Sequence, residues 1–281
     1  MKQAVMVTIV MLVVAVGLAQ GQQAKEAKEG GLHGWVELTY QSKYIWRGFD
    51  VYADRSAIQP AINLDLFGTG FGMNIAGHMA NSSGCENSER WDYNVYYQNM
   101  LFGDQSYATA YRIGWVYYNY PEIRSDWADL QEIHAIFSFP KILPIKGLVP
   151  TYVLVKLWPS SSNSLVSKTV DLSTGMPSSG TPSGFAHIFM LDYGLEVTCP
   201  ITDQPRVFNL HSEIVFNDGV GPAGQNVDHD WSNIVFGMTT NVDLAKNIIF
   251  VPGVYHQITM DDSVNDDKSE TWATLCMRYT F

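Results

Sequence analysis

The chain ends on a strand with two different faces. From Thr271 to Phe281 every second residue suits contact with lipid: Thr271, Ala273, Leu275, Met277, Tyr279 and Phe281. The residues between them, Glu270, Trp272, Thr274, Cys276, Arg278 and Thr280, are mostly polar. Strict period two over about ten residues is the pattern of a strand that divides two environments.

The other end of the chain says how such a strand is delivered. Met1-Lys2 is a short positive start, Ala4 to Leu18 is almost wholly apolar, and Gly17-Leu18-Ala19 offers small residues for cleavage. This pattern predicts a signal peptide over residues 1–19. The apolar run is shorter than the roughly 20 residues a membrane helix needs. A polar, flexible entry segment is expected over 20–31, and the folded unit over 32–281. An exported chain whose last strand ends on an aromatic resembles bacterial outer-membrane barrels. Tyr279 and Phe281 are then the expected assembly signal, read by the barrel-assembly machinery.

After the leader no apolar run is long enough for a membrane helix. Lipid can then be entered only by a closed sheet, because open strand edges would leave polar backbone groups in hydrocarbon. Alternation predicts twelve strands, at 33–47, 57–67, 70–80, 90–102, 106–119, 129–139, 147–158, 184–198, 206–217, 231–244, 247–260 and 269–281. Their connections alternate between short and long. Gly68-Thr69 and Ala245-Lys246 are among the short ones; Pro159 to Ser183, rich in Ser, Thr, Gly and Pro, is the longest. An even strand count with segregated short turns and long loops is the pattern of a twelve-stranded antiparallel transmembrane β-barrel. Tryptophan fits the same register. Trp46, Trp91, Trp115, Trp127, Trp158, Trp231 and Trp272 fall near long-loop ends and Trp35 near the other, as two interfacial belts require.

Charge fixes which face is inward, since Arg or Lys facing lipid at mid-depth costs about 2–4 kcal/mol. On this basis the first five strands should line a lumen with Glu37, Lys43, Arg47, Asp65, Asp92 and Arg112. The later strands should add Glu132, His134, Lys156, Asp192, Glu196, His211, Glu213, Asp243 and Arg278. Glu270, His78 and several Asn and Gln share that parity. His187 and His256 fall outward, and the seventh strand is poorly polarised, with Leu148 and Leu154 on the inner parity. Inward acids outnumber bases, which favours cations. The net charge of −11 gives no reason to expect nucleic acid.

Chemistry-bearing clusters each have a plain structural reading. Glu132/His134 and His211/Glu213 are i, i+2 pairs that lumenal hydrogen bonding explains. His211 and Ser212 point to opposite faces, so they form no nucleophile–base pair. Asp228-His229-Asp230 reads as a solvated loop. Asp261, Asp262, Asp266 and Asp267 lack the spacing and Gly of a calcium loop. Cys85, Cys199 and Cys276 lack metal-ligand spacing and read as free thiols.

One stretch carries more than pattern. Ser42-Lys43-Tyr44-Ile45-Trp46-Arg47-Gly48-Phe49 is followed by Gln59-Pro60-Ala61-Ile62 and then Gly70-Phe71-Gly72. It resembles the TorF-type putative porins, in which a Ser-x-Tyr-x-x-Arg-Gly segment precedes a Pro-Ala strand and a Gly-Phe strand. The resemblance spans the first three strands and implies a pore without naming a solute. Arg47 is expected to clasp an acid such as Asp92.

The expectation is therefore an outer-membrane barrel with both ends periplasmic, passing small hydrophilic solutes by passive diffusion with weak cation preference. A closed structural or adhesive barrel is the alternative, and a barrel hydrolase a more distant one. No catalytic residue, metal or cofactor is expected. The expected partners are outer-membrane lipid, lipopolysaccharide, the assembly machinery and the solute itself.

Overall fold

The computed structural model describes residues 31–161, 169–171, 176–178, 183–198, 205–219, 229–262 and 264–281. The expected signal peptide and almost all of the entry segment lie outside the described residues, as do Cys199, Asp228 and much of the longest loop. Twelve strands form one antiparallel sheet. They are β1 (His33–Gln41), β2 (Ala57–Asp65), β3 (Phe71–Ala80), β4 (Arg90–Leu101), β5 (Thr109–Asn119) and β6 (Leu130–Ser138). There follow β7 (Leu148–Pro159), β8 (Gly184–Thr198), β9 (Pro205–Asp218), β10 (Asp230–Thr240), β11 (Ile248–Thr259) and β12 (Glu270–Thr280). Past Asn241, β10 continues as Val242–Ala245.

Each strand pairs with the next, and β12 pairs with β1, so the sheet closes on itself. The seam runs to the last residue. Phe281 N donates to Gly34 O at 3.0 Å, and Gly34 N to Phe281 O at 3.2 Å. Tyr279 and Phe281 stand on the outer face with stacked rings 6.3 Å apart.

The alternation seen in the sequence separates the two faces as expected on most strands. On β1, Val36 and Leu38 are exposed while Glu37, Thr39 and Gln41 are buried. On β12, Leu275 and Met277 face out while Trp272, Thr274 and Cys276 face in. Cys276 and Cys85 are both free and buried. His187 and His256 point outward and are satisfied there. His187 Nδ1 lies 2.8 Å from the Tyr152 hydroxyl, and His256 Nδ1 lies 2.8 Å from Thr271 Oγ1.

Strand β7 departs from expectation. Its inward residues are Val149, Thr151, Val153, Val155 and Leu157, and Lys156 points outward. Lys156 stands opposite Ile133 and Phe185, both exposed. Its ammonium lies 4.6 Å from the Phe185 ring and donates to Ser183 Oγ at 3.3 Å. The expected parity fails for a physical reason. Lys156 is three residues from the strand end, where a lipid-facing cation costs only about 0–1 kcal/mol.

Candidate functional site: a hairpin across the lumen

A twelve-stranded wall encloses more space than its own side chains fill. Here the first long loop enters that space. Ile45–Trp46 pairs with Phe49–Asp50 as a small hairpin. Its two-residue turn is Arg47-Gly48, with φ of 50° and 94°. Positive φ at both central positions is what a tight hairpin turn demands, and Gly supplies it at no steric cost. Tyr44, Ile45, Trp46, Phe49, Val51 and Tyr52 are each 0–1% exposed. A surface loop with that apolar content must be covered, and the barrel interior covers it.

The hairpin tip spans the lumen between two arcs of wall. On one side Arg47 Nη2 pairs with Glu132 on β6. Glu132 also accepts from the Tyr118 hydroxyl at 2.7 Å, and His134 Nδ1 lies 3.7 Å from it. Beside this pair, Arg90 on β4 is held by Asp92, with Nε 2.6 Å from Oδ1. Its guanidinium lies 4.6 Å from both the Trp46 and Tyr118 rings, a cation against aromatic faces. Tyr44 stacks on His78 at 5.3 Å, and the Tyr52 hydroxyl donates to His78 O at 2.9 Å. This charged arc, on β3 to β6, therefore grips the hairpin by ions and rings. Arg47 does clasp an acid, but the acid is Glu132; Asp92 is taken by Arg90.

On the other side the hold is light. Gln257 Nε2 on β11 donates to Gly48 O at 2.7 Å. A Cβ at Gly48 would sit 2.8 Å from both Asn233 Oδ1 and Val264 Cγ1, so the turn approaches that wall closely. This neutral arc presents amides and an indole: Asn217, Asn233, Gln257, Trp272 and Gln41, each 0–2% exposed.

Between the arcs the wall is apolar. Val153, Val155, Leu157, Ala186 and Ile188 join Ile45 and Trp46 in one buried cluster. The inserted hairpin turns this part of a lumen into a protein core, which is why β7 and β8 carry apolar residues inward.

The other expected lumen residues fall as follows. Glu37 receives Arg278 at 2.9 Å, and Arg278 lies 5.0 Å from the Trp35 ring. Arg112 donates to Gln98 Oε1 and lies 3.9 Å from the Tyr96 ring. His211 Nδ1 sits 2.7 Å from Asp192, and its Nε2 3.7 Å from Glu213. Lys43 is at the outer rim, 2.5 Å from Asp54 and 2.6 Å from Glu270. Burial opposes its charge, yet hydrogen bonds to those two carboxylates hold its pKa above the usual lysine range. Asp65, Glu196 and Asp243 have inward parity at the short-turn end, where Glu196 and Asp243 are exposed. Asp65 caps its turn by accepting from Gly68 N at 2.9 Å.

Sequence reasoning missed two things here. The first strand was expected to reach residue 47, whereas it ends at Gln41 and the motif that follows is the hairpin. Trp46, Trp272 and Trp35 consequently do not belong to interfacial belts. Trp46 and Trp272 are buried within the lumen, and Trp35 lies under Arg278. The second omission is Arg90, which stands at the start of its strand and pairs on the same strand with Asp92. Phe49, Val51 and Tyr52, apolar residues in a supposed loop directly after Tyr44, Ile45 and Trp46, were the available signal.

Fold and site together define an outer-membrane-type β-barrel whose lumen is crossed, in its long-loop half, by its first loop. Among solved structures, the COG4313 outer membrane channel from Pseudomonas putida F1 is similar in fold. It superposes with a TM-score of 0.50 at 10% identity, over 92% of this chain and 100% of that one. The KdgM porin has a TM-score of 0.49 at 10% identity, over 88% of this chain and 99% of that one. No protein family and no curated protein matches the sequence.

Proposed function

We propose that the protein is an outer-membrane channel of porin-like kind, with chain ends and short turns on the periplasmic side. It passes small hydrophilic solutes when the hairpin yields, and the segment carrying the TorF-type resemblance is that hairpin. The observation that carries this reading is how the lumen is filled. A purely structural barrel needs only wall side chains to fill it, whereas here the outer lumen is stoppered by a separate, tethered hairpin held by polar contacts. The weak cation preference rests on unequal charge. Acids outnumber bases among the inward residues, and Asp192 and Glu213 stand together on either side of His211.

The near-complete burial of the hairpin favours a second reading, a closed structural barrel. Planar-bilayer recordings separate the two. Wild-type protein should conduct weakly or intermittently. Replacing residues 44–52 with a Gly-Ser linker should raise the current several-fold, with heat-modifiable gel mobility confirming the barrel. Current in neither form sinks the channel reading. With current flowing, Asp192→Asn combined with Glu213→Gln should move the reversal potential toward non-selectivity.

A further inference from the structure

The neutral arc holds polar atoms that the fold does not use. Asn217 Nδ2 and Oδ1, Asn233 Nδ2, Gln257 Oε1, Gln41 Oε1 and Trp272 Nε1 are all buried without a hydrogen-bond partner among the described residues. The five residues stand on consecutive strands, β9, β10, β11, β12 and β1, through the seam. Each lies within three residues of the outer end of its strand, so they form one band at the level of the hairpin tip. The hairpin covers this band and satisfies only the amide nitrogen of Gln257.

Leaving a buried donor or acceptor unmade costs about 1–3 kcal/mol, while an apolar group of the same shape costs nothing of the kind. The neighbouring wall shows that the barrel accepts such groups, because β7 and β8 carry valine, leucine and isoleucine at comparable depth. Packing accounts for the Trp272 ring, which belongs to the buried apolar cluster, but not for its N–H or for the amides. The band's chemistry is specific: donors and acceptors alternate, none charged, with the Trp272 and Tyr255 rings stacked 5.4 Å apart beside them. An ion would find no countercharge on these five side chains, and the carboxylate opposite Gln257, Glu270, is already taken by Lys43 and Asn265. A hydroxyl-rich neutral molecule offers both a donor and an acceptor at each oxygen and matches the whole band.

We infer that the band Gln41, Asn217, Asn233, Gln257 and Trp272 is a binding site for neutral polyhydroxylated solutes of the oligosaccharide class, uncovered when the hairpin leaves the lumen. The inference rests on the channel reading for its role in transport, but the site itself is testable without any current. Saturation-transfer NMR with maltotriose, on the full-length chain and on the variant with residues 44–52 replaced, reads binding directly. Maltotriose should bind the hairpin-replaced protein at least several-fold more tightly than wild type. Gln257→Leu combined with Asn233→Leu should weaken it about tenfold. Trp272→Phe keeps an aromatic ring beside Tyr255 while removing the indole N–H and the five-membered ring that carries it, so it serves if the double variant does not assemble; it should weaken binding several-fold. Lys156→Gln, on the outer wall, should leave binding unchanged. Absence of saturation transfer to maltotriose in the hairpin-replaced protein overturns the site, as does equal binding of gluconate, or binding that neither amide nor indole variant alters. Binding without bilayer current would retain the site and remove the channel; current without binding would do the reverse.

Discussion

The charged and neutral arcs face the same hairpin at the same depth, and they hold it differently. On β3 to β6 an ion pair, a cation between two rings and a ring stack fix one side of the insert. On β9 to β12 a single amide donates to the turn at the tip, and an ion pair at the rim joins Glu270 to Lys43 at the base of the hairpin. A plug held equally on both sides would have to break everything at once to move. One held on a single side can swing, keeping its grip on the charged arc while the gap opens along the neutral one. On the proposed channel reading, the charged arc retains the hairpin and the neutral arc gives passage.

Substitutions test that division. The largest effect is expected from Glu132→Ala, which strands Arg47 in a buried site and should cost about 3–5 kcal/mol. Urea titration followed by gel mobility should show the loss, and bilayer recordings should show a hairpin that no longer closes. Gly48→Ala comes next. Its φ of 94° and its 2.8 Å approaches to Asn233 and Val264 penalise the seated turn by about 1–2 kcal/mol, raising open time with the barrel intact. Gln257→Leu removes one neutral hydrogen bond and should loosen the hairpin by only about 1 kcal/mol. If it opens the barrel as far as Glu132→Ala does, the arcs are equivalent and the swinging insert is wrong. Lys43→Met, at the half-buried rim, removes the cation between Asp54 and the buried Glu270, which keeps Asn265 Nδ2 as a donor; closure should change by about 1 kcal/mol, an effect that fades in high salt.

How much of this was legible in the sequence differs between wall and insert. The wall announces itself because a charge facing lipid is expensive and a residue slip inverts every side chain, so Glu37, Asp92, Glu213 and Arg278 fix their strands. The rule misled only where its premise lapsed. Lys156 lies near an interface, and β7 looks onto protein instead of water. The insert obeys no periodic rule. Tyr44 to Tyr52 bury their side chains against strands far away in sequence, and nothing local says which ones. Glu132 could be named only as an acid of the right parity, and the neutral band was visible only as scattered amides.

The closing bond between Phe281 and Gly34 has a consequence for how the molecule is made. The last strand, β12, is part of the joint, so the cylinder cannot be completed before that strand has been made. Every earlier strand must wait, unrolled, for β12 to arrive. The hairpin springs from β1, one side of that joint, and meets its partner Gln257 on β11, two strands across it, once the joint is zipped.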